Sequence, residues 1–254
     1  MKKILFLILG LLFIRIASAD TVNIDWMVDG QTYTQTSCNI GDDLILPTAP
    51  TKYGYTFRGW ETYTQLEYIE GTGTQYIDTV VYGNLRTALV IDFQNTVPSS
   101  THRSAILGGD LSNTNSAINL LITLDNNTIR TCRFGNVARD FPRNLVSNNV
   151  RYTIRMDKNG IILNDTITVV SFGNLDTPFT TSGTLWLFRS NNASTIETSS
   201  LRVYSAKIYY DDTLVRDFIP VRRYTDGAIG MLDTVSGKFF GNAGTGTFIA
   251  GPDL

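Results

Sequence analysis

Hydrolysis of a sugar bond needs two carboxyl groups, about 5–5.5 Å apart for retention or about 6.5–9.5 Å for inversion. The chain holds only four glutamates for such work, Glu61, Glu67, Glu70 and Glu197, beside 19 aspartates. Glu67 and Glu70 stand three apart, so on a strand they face opposite sides and read as an exposed edge pair. An Asp–Asp pair stays open, but no motif supports one. Acyl-transfer chemistry needs a base beside its nucleophile. The single imidazole, His102, sits in the polar run Ser99-Ser100-Thr101-His102-Arg103-Ser104, which reads as a solvated loop. One histidine and two cysteines are too few soft ligands for an ordinary zinc site. The glycine-rich run 241–247 lacks the Lys-Ser/Thr ending and the strand-to-helix setting of a phosphate loop, and tight turns before a last strand explain it. The residues therefore point away from an enzyme.

Binding chemistry is better supplied. Shallow sugar sites combine an aromatic platform with amide or carboxylate groups for the hydroxyls. Asp110, Arg155 and Tyr210 are the candidate ligand contacts on this basis. Trp186 is set aside, because Trp186 and Phe188 interleave with Leu185 and Leu187 and the strand reads as buried on both faces. Hard oxygen ligands at Gly108-Gly109-Asp110, Asp125-Asn126-Asn127 and Asp211-Asp212 leave a calcium ion open, although Asx turns use the same residues. Arg130, Arg133, Arg139, Arg143, Arg151 and Arg155 could meet on one face and contact an acidic glycan, or be solvated strand faces. A pI near 5.4 argues against a nucleic-acid groove.

The elements that must carry these residues are strands. The chain of 254 residues holds 33 Thr, 19 Asn and 21 Gly, against 6 Lys and 4 Glu. Threonine favours strands, asparagine and glycine favour turns, and the usual helix formers are scarce. An all-β protein follows, with a hydrophobic fraction of 43% that is enough for a real core. Val22, Ile24 and Trp26 alternate with Asn23, Asp25 and Met27, and Asp29-Gly30 signals a hairpin to a second strand over 31–36. Beyond Leu66 strands recur every 10–20 residues, with alternation at 89–93, 118–124 and 152–156. Tyr204, Ala206, Ile208 and Tyr210 are expected to share one face of a late strand.

The first 19 residues read as an export signal. Lys2 and Lys3 precede an apolar run over 4–14, and Ala17-Ser18-Ala19 is a small-residue cleavage pattern, so the mature chain is expected to begin at Asp20 after cleavage behind Ala19. Losing Lys2, Lys3 and Arg15 leaves 18 basic and 23 acidic residues, a net charge of −5. No later segment is long and apolar enough to span a membrane. Export permits a disulfide between Cys38 and Cys132, yet the two fall in different expected domains, and separate thiols are expected.

Residues 21–61 resemble the Listeria–Bacteroides repeat, a small β-grasp-like module, through Thr32-Tyr33, Gly41-Asp42, Leu46-Pro47, Pro50, Lys52-Tyr53-Gly54-Tyr55 and above all Phe57-Arg58-Gly59-Trp60. Its aromatic cluster is expected to be its own core. The opening run 66–79 and the closing runs Lys207-Ile208-Tyr209, 214–220, Gly230-Met231-Leu232-Asp233 and 236–246 resemble the concanavalin A-like, laminin-G-like jelly rolls of exported bacterial proteins. The resemblances imply a signal at 1–19, a β-grasp module at 20–61, a joint at 62–65, an antiparallel jelly-roll β-sandwich at 66–250 and a tail at 251–254. They also imply that the first and last strands of the sandwich pair. Glycosidases of this fold carry Glu-x-Asp-x-Glu on the catalytic strand, and this sequence has no such motif. The function implied is non-catalytic recognition of a glycan or surface protein, or else a structural role in a surface assembly.

Overall fold

The computed structural model describes residues 3–9, 21–29, 31–39, 42, 44–96, 103–109, 115–123, 130–141, 145–191 and 200–254. Four strands, β1 (Lys3–Leu9), β2 (Thr21–Val28), β3 (Gln31–Asn39) and β4 (Tyr55–Glu61), form one sheet in the order β3-β2-β1-β4. β2 and β3 are the expected hairpin. Val28 pairs with Gln31, and Asp29 takes the left-handed φ of 51° that a two-residue turn requires. Ile24 and Trp26 are both buried, as period-two alternation demands. Trp26 and Phe57 each meet the Trp60 ring edge-on, at 4.7 and 5.4 Å. The indole N–H groups donate to Thr36 Oγ1 and to the Pro47 carbonyl, so neither is left unpaired. These three rings pack on one another, while Tyr53 stands fully exposed. The stretch 3–9, read above as part of a leader, lies antiparallel to β2 and parallel to β4. Ala19 and Asp20 lie outside the described residues.

From Tyr63 onward the strands are β5 (Tyr63–Gln65), β6 (Ile69–Thr72), β7 (Ile77–Asn84), β8 (Thr87–Asn95), β9 (Arg103–Gly109), β10 (Ala117–Thr123), β11 (Arg130–Gly135), β12 (Val137–Phe141) and β13 (Arg151–Asp157). There follow β14 (Gly160–Leu163), β15 (Ile167–Ser171), β16 (Thr180–Leu187), β17 (Ser190–Asn191), β18 (Ser200–Tyr210), β19 (Thr213–Arg223), β20 (Ile229–Asp233), β21 (Lys238–Gly241) and β22 (Ile249–Ala250). A seven-stranded sheet runs β12-β11-β10-β9-β16-β7, with β17 on β9. An eleven-stranded sheet runs β15-β14-β13-β8-β18-β19-β20-β21, with β5 on β19, β6 on β18 and β22 on β6. One core is shared by both sheets: Ile77, Leu107, Ile118, Phe134 and Leu185 from the first, and Leu89, Ile91, Ile154, Ile208 and Phe218 from the second. Each such side chain contributes about 1.5–3 kcal/mol by leaving water. The chain is all-β and its two large sheets are built from antiparallel pairs, apart from the short parallel contact of β17 with β9. No helix among the described residues is long and apolar enough to cross a membrane.

The ends of this larger unit meet as expected. β22 pairs with β6, and Leu66 bridges Asp253. Four local expectations need correction. Residues 62–65 are not a free joint, because β5 pairs with β19 and the Tyr63 ring stacks on Phe239 at 5.8 Å. The β16 strand is not buried on both faces. Leu185 and Leu187 are fully buried, whereas Trp186 is half-buried and stacks on Tyr76 at 4.1 Å. Phe188 enters the core only because its φ of 69° breaks the alternation. Tyr204 does not share a face with Ala206 and Ile208, since a bulge between Val203 and Ser205 inserts one residue and turns Tyr204 outward. Glu70 is not on an edge: β6 lies between β18 and β22, and Glu70 is paired with Arg202 at 2.8 Å.

Candidate functional site

Two hairpin turns and one connection between the two large sheets converge on one cleft of about 310 Å³, lined by residues 157–159 between β13 and β14, Asp211 and Asp212 between β18 and β19, and 85–88 where β7 of one sheet passes to β8 of the other. The sequence builds each turn by a local rule. Asp211 and Asp212 both adopt left-handed φ, 43° and 63°, the pattern of a tight two-residue hairpin. Asp157 Oδ1 accepts the Asn159 amide at 2.8 Å, an Asx turn. Asn84 Oδ1 accepts the Arg86 amide at 2.8 Å in the same way.

The cleft is a mixed-charge surface. Arg86 pairs with Asp211, and Arg155 Nε reaches Asp157 Oδ2 at 3.2 Å. Lys158 and Asp212 make no ion pair among the described residues. Guanidinium, ammonium, amide and carboxylate groups thus surround one opening with the short apolar floor of Leu85 and Ala88. Such a set exchanges hydrogen bonds with a polyhydroxylated ligand. Two of its three carboxylates are tied to arginines rather than to each other, which suits orientation of a ligand more than proton transfer.

Of the three candidate contacts, Arg155 lies in this cleft and Asp110 lies outside the described residues. Tyr210 is adjacent in sequence but turns away: its hydroxyl donates to the Tyr82 carbonyl and its ring packs on the core. Burial raises the Tyr210 pKa, partly opposed by Arg216. The basic residues do not share a face. Arg130, Arg133 and Arg139 lie on β11 and β12 of one sheet, Arg151 and Arg155 on β13 of the other, and Arg143 is outside the described residues. His102, Asp125, Asn126 and Asn127 are also outside them. Among the described residues, no three His, Cys, Asp or Glu side chains stand together as a metal site. Cys38 and Cys132 are unbridged. Burial pushes the Cys132 thiol up to about 12, which leaves it no nucleophile, and it donates to the Leu121 carbonyl at 3.3 Å.

A second surface, which the alternation pattern missed, covers the outer face of the eleven-stranded sheet. Arg151, Gln94, Arg202 and Glu70 are cross-strand partners on β13, β8, β18 and β6. The Arg202 guanidinium stands 4.4 Å from the Tyr68 ring centre, and Tyr68 meets Tyr204 edge-on at 5.4 Å. Tyr204 donates to Gln94 Oε1 at 2.6 Å. The bulge that turns Tyr204 outward is the device that assembles this patch, and period-two reading has no signal for it.

No protein-family model, no curated protein and no solved structure matches the chain.

Proposed function

We propose that the chain is an exported bacterial protein that binds without catalysing, recognising a carbohydrate or a cell-surface partner through its larger double-layered unit. On this reading that unit is a concanavalin A-like, laminin-G-like jelly roll, and residues 20–61 are a Listeria–Bacteroides repeat-like module ahead of it. The observation that carries the reading is the turn-lined cleft around Arg155, where donors and acceptors of both signs surround an open space of about 310 Å³. The test is a glycan array probed with the full chain and with Arg155→Ala. Saturable binding that Arg155→Ala weakens, without sugar release, supports the reading. Release of reducing sugar that survives repurification refutes the non-catalytic part, and a blank array refutes the carbohydrate part.

One observation favours a second reading, a structural component of a surface assembly. The patch of Tyr68, Tyr204, Arg151 and Arg202 has the tyrosine and arginine composition of protein interfaces. Concentration-dependent self-association, abolished by Tyr68→Ala, would support it.

A further inference from the structure

The smaller sheet ends on a strand whose outer edge no other described strand pairs. β3 bonds to β2 on one side and closes the order β3-β2-β1-β4 on the other. Its register on β2 shifts once, beside Tyr33, and then runs unbroken from Thr34 opposite Trp26 to Asn39 opposite Thr21. Those six residues span about 20 Å. They hold no charge, no proline and no glycine, and Gln35, Ser37 and Asn39 among them are exposed. Among the described residues, the Asn39 carbonyl finds a backbone partner outside β2, the Asp42 amide at 3.2 Å, and the edge is otherwise open. An open edge offers a row of N–H and C=O groups to any strand laid beside it, and proteins blunt such edges with charges, bulges, short length or a cover.

The other edges are blunted in just these ways. β7 carries two register shifts on β16 and a left-handed Val80, with φ of 57°. β12 has five residues and exposes Arg139 and Asp140. β15 also has five, and Arg139 Nε caps its Ser171 carbonyl at 3.2 Å. β4 is interrupted by Gly59, with φ of 130°. β5, β17, β21 and β22 have four residues or fewer. Among the described strands, β3 is therefore the one long neutral edge, and the strand that matches it is β3 of a second copy. Identical edges pair antiparallel about a two-fold axis. That axis stands perpendicular to the sheet, so like faces meet and the Gln35, Ser37 and Asn39 positions of one copy lie opposite the same set in the other. Neutral side chains can sit opposite one another there, where like charges would repel.

We propose that residues 34–39 are a homodimer interface, in which β3 pairs antiparallel with β3 of a second copy and joins the two smaller sheets into one. This interface is independent of any ligand at the Arg155 cleft, and it lies on a different unit from the Tyr68 patch. The test is sedimentation velocity of the full chain over a range of concentrations, with hydrogen–deuterium exchange read on the peptide that covers β3. Both are repeated with the double variants Gln35→Lys, Ser37→Lys and Gln35→Thr, Ser37→Thr, and with Tyr68→Ala. The wild type is expected to dimerise, with the amides of 34–39 exchanging more slowly as concentration rises. The lysine pair sets ammonium groups across the two-fold axis and should raise the dimer dissociation constant about tenfold or more. Both sites are exposed, so the melting temperature of the monomer should hold. The threonine pair and Tyr68→Ala should leave association intact. If the lysine pair fails to fold, the concentration dependence of β3 exchange in the wild type decides the matter. A monomer at every concentration, or a dimer whose β3 amides exchange at one rate throughout, would overturn the interface. A dimer that Tyr68→Ala dissolves and the lysine pair spares would overturn it in favour of the outer face of the eleven-stranded sheet.

Discussion

The Arg151 guanidinium lies 3.8 Å from the centre of the Tyr204 ring while its Nε and NH2 donate to the two oxygens of Asp92 at 2.8 and 2.7 Å. One planar cation therefore uses its edge on a carboxylate and its face on an aromatic ring. The Asp92 hydrogen bonds hold the Arg151 pKa above its ordinary value, against a smaller effect of burial. Lysine has neither the fork nor the plane. Arg151→Lys should lower stability by about 1 kcal/mol, a cation–π contact at a half-exposed site being worth about 0.5–1 and an exposed ion pair about 0–1. Urea unfolding measures it, and an Asp92→Asn, Arg151→Lys double cycle should return a positive coupling. Additive effects would show that the Arg151–Asp92 fork contributes nothing that lysine cannot supply.

The buried carboxylate of Asp233 organises the turn between β20 and β21. Its Oδ1 accepts the Asp217 amide at 2.9 Å and the Val235 amide at 3.2 Å, its Oδ2 accepts the Ser236 hydroxyl at 2.5 Å, and Arg216 Nε stands 3.6 Å away. A fully buried carboxylate is tolerated only with such company. Asp233→Ala strands two backbone donors and leaves Arg216 without its counter-charge. We expect a loss of about 1–3 kcal/mol, the usual cost of stranding a buried donor, read as a fall in melting temperature of about 2–4 °C per kcal/mol. Asp233→Asn keeps the acceptor at Oδ1 and should cost less than Asp233→Ala. Equal losses would show that charge, and not the hydrogen bonds, is what the turn needs.

How much of this could be read from the chain depends on where alternation is unbroken. At 89–93 and 152–156 the period of two runs without interruption, and Leu89, Ile91, Ile154 and Met156 are all in the core. The Asp157-Lys158-Asn159-Gly160 turn is equally local, since it rests on an Asx bond and on Gly160, where a Cβ would lie 2.1 Å from the Val170 carbonyl oxygen. The reading fails where one residue is added or its φ inverted. The bulge at Tyr204 and the left-handed Phe188 each move a ring to the face opposite the one that counting assigns. The cross-strand pairing of Trp186 with Gly108, and of Gly108 with Asn119, is illegible for another reason. It joins β16, β9 and β10, whose residues lie 11 to 78 positions apart in the chain, and only the strand order brings them together.

The two thiols should differ sharply in reactivity. Cys38 is half-buried on β3, and Cys132 is fully buried on β11. Iodoacetamide on the native full chain at neutral pH is expected to modify Cys38 alone, with Cys132 reacting only on unfolding, as peptide mass spectrometry would show. Burial also links Cys132 to alkaline stability. The folded thiol titrates at about 12, above the unfolded value of about 8.5. The unfolded state therefore loses its proton first, and stability is whole below about pH 8.5 and falls as pH rises toward 12. Cys132→Ala should flatten that alkaline limb relative to the wild type. Modification of both thiols at equal rates in the native protein would refute the assignment.

Acid should act through the hairpin between β19 and β20. Asp226 accepts from Arg223 Nε at 3.0 Å and from its NH2 at 2.6 Å, and from the Ala228 amide at 3.0 Å. The Arg223 hydrogen bonds first, then the Ala228 amide, hold its carboxyl down to about 2. The same guanidinium sits 4.6 Å from the Phe239 ring centre and 3.8 Å from Glu61 Oε2, so this hairpin also braces β21 and the end of β4. An unfolded aspartate titrates near about 3.9, so between about pH 4 and 2 the unfolded chain binds the proton and the folded one does not. The contribution of Asp226 is therefore complete above about pH 4 and is lost as pH falls through 2. Carboxyl carbon chemical shifts should place its midpoint near 2. The stability difference between wild type and Asp226→Asn should be constant above about pH 5 and shrink toward zero in acid. A midpoint near 3.9, or a difference that does not change with pH, would mean that Arg223 is held by Phe239 and Glu61 without Asp226.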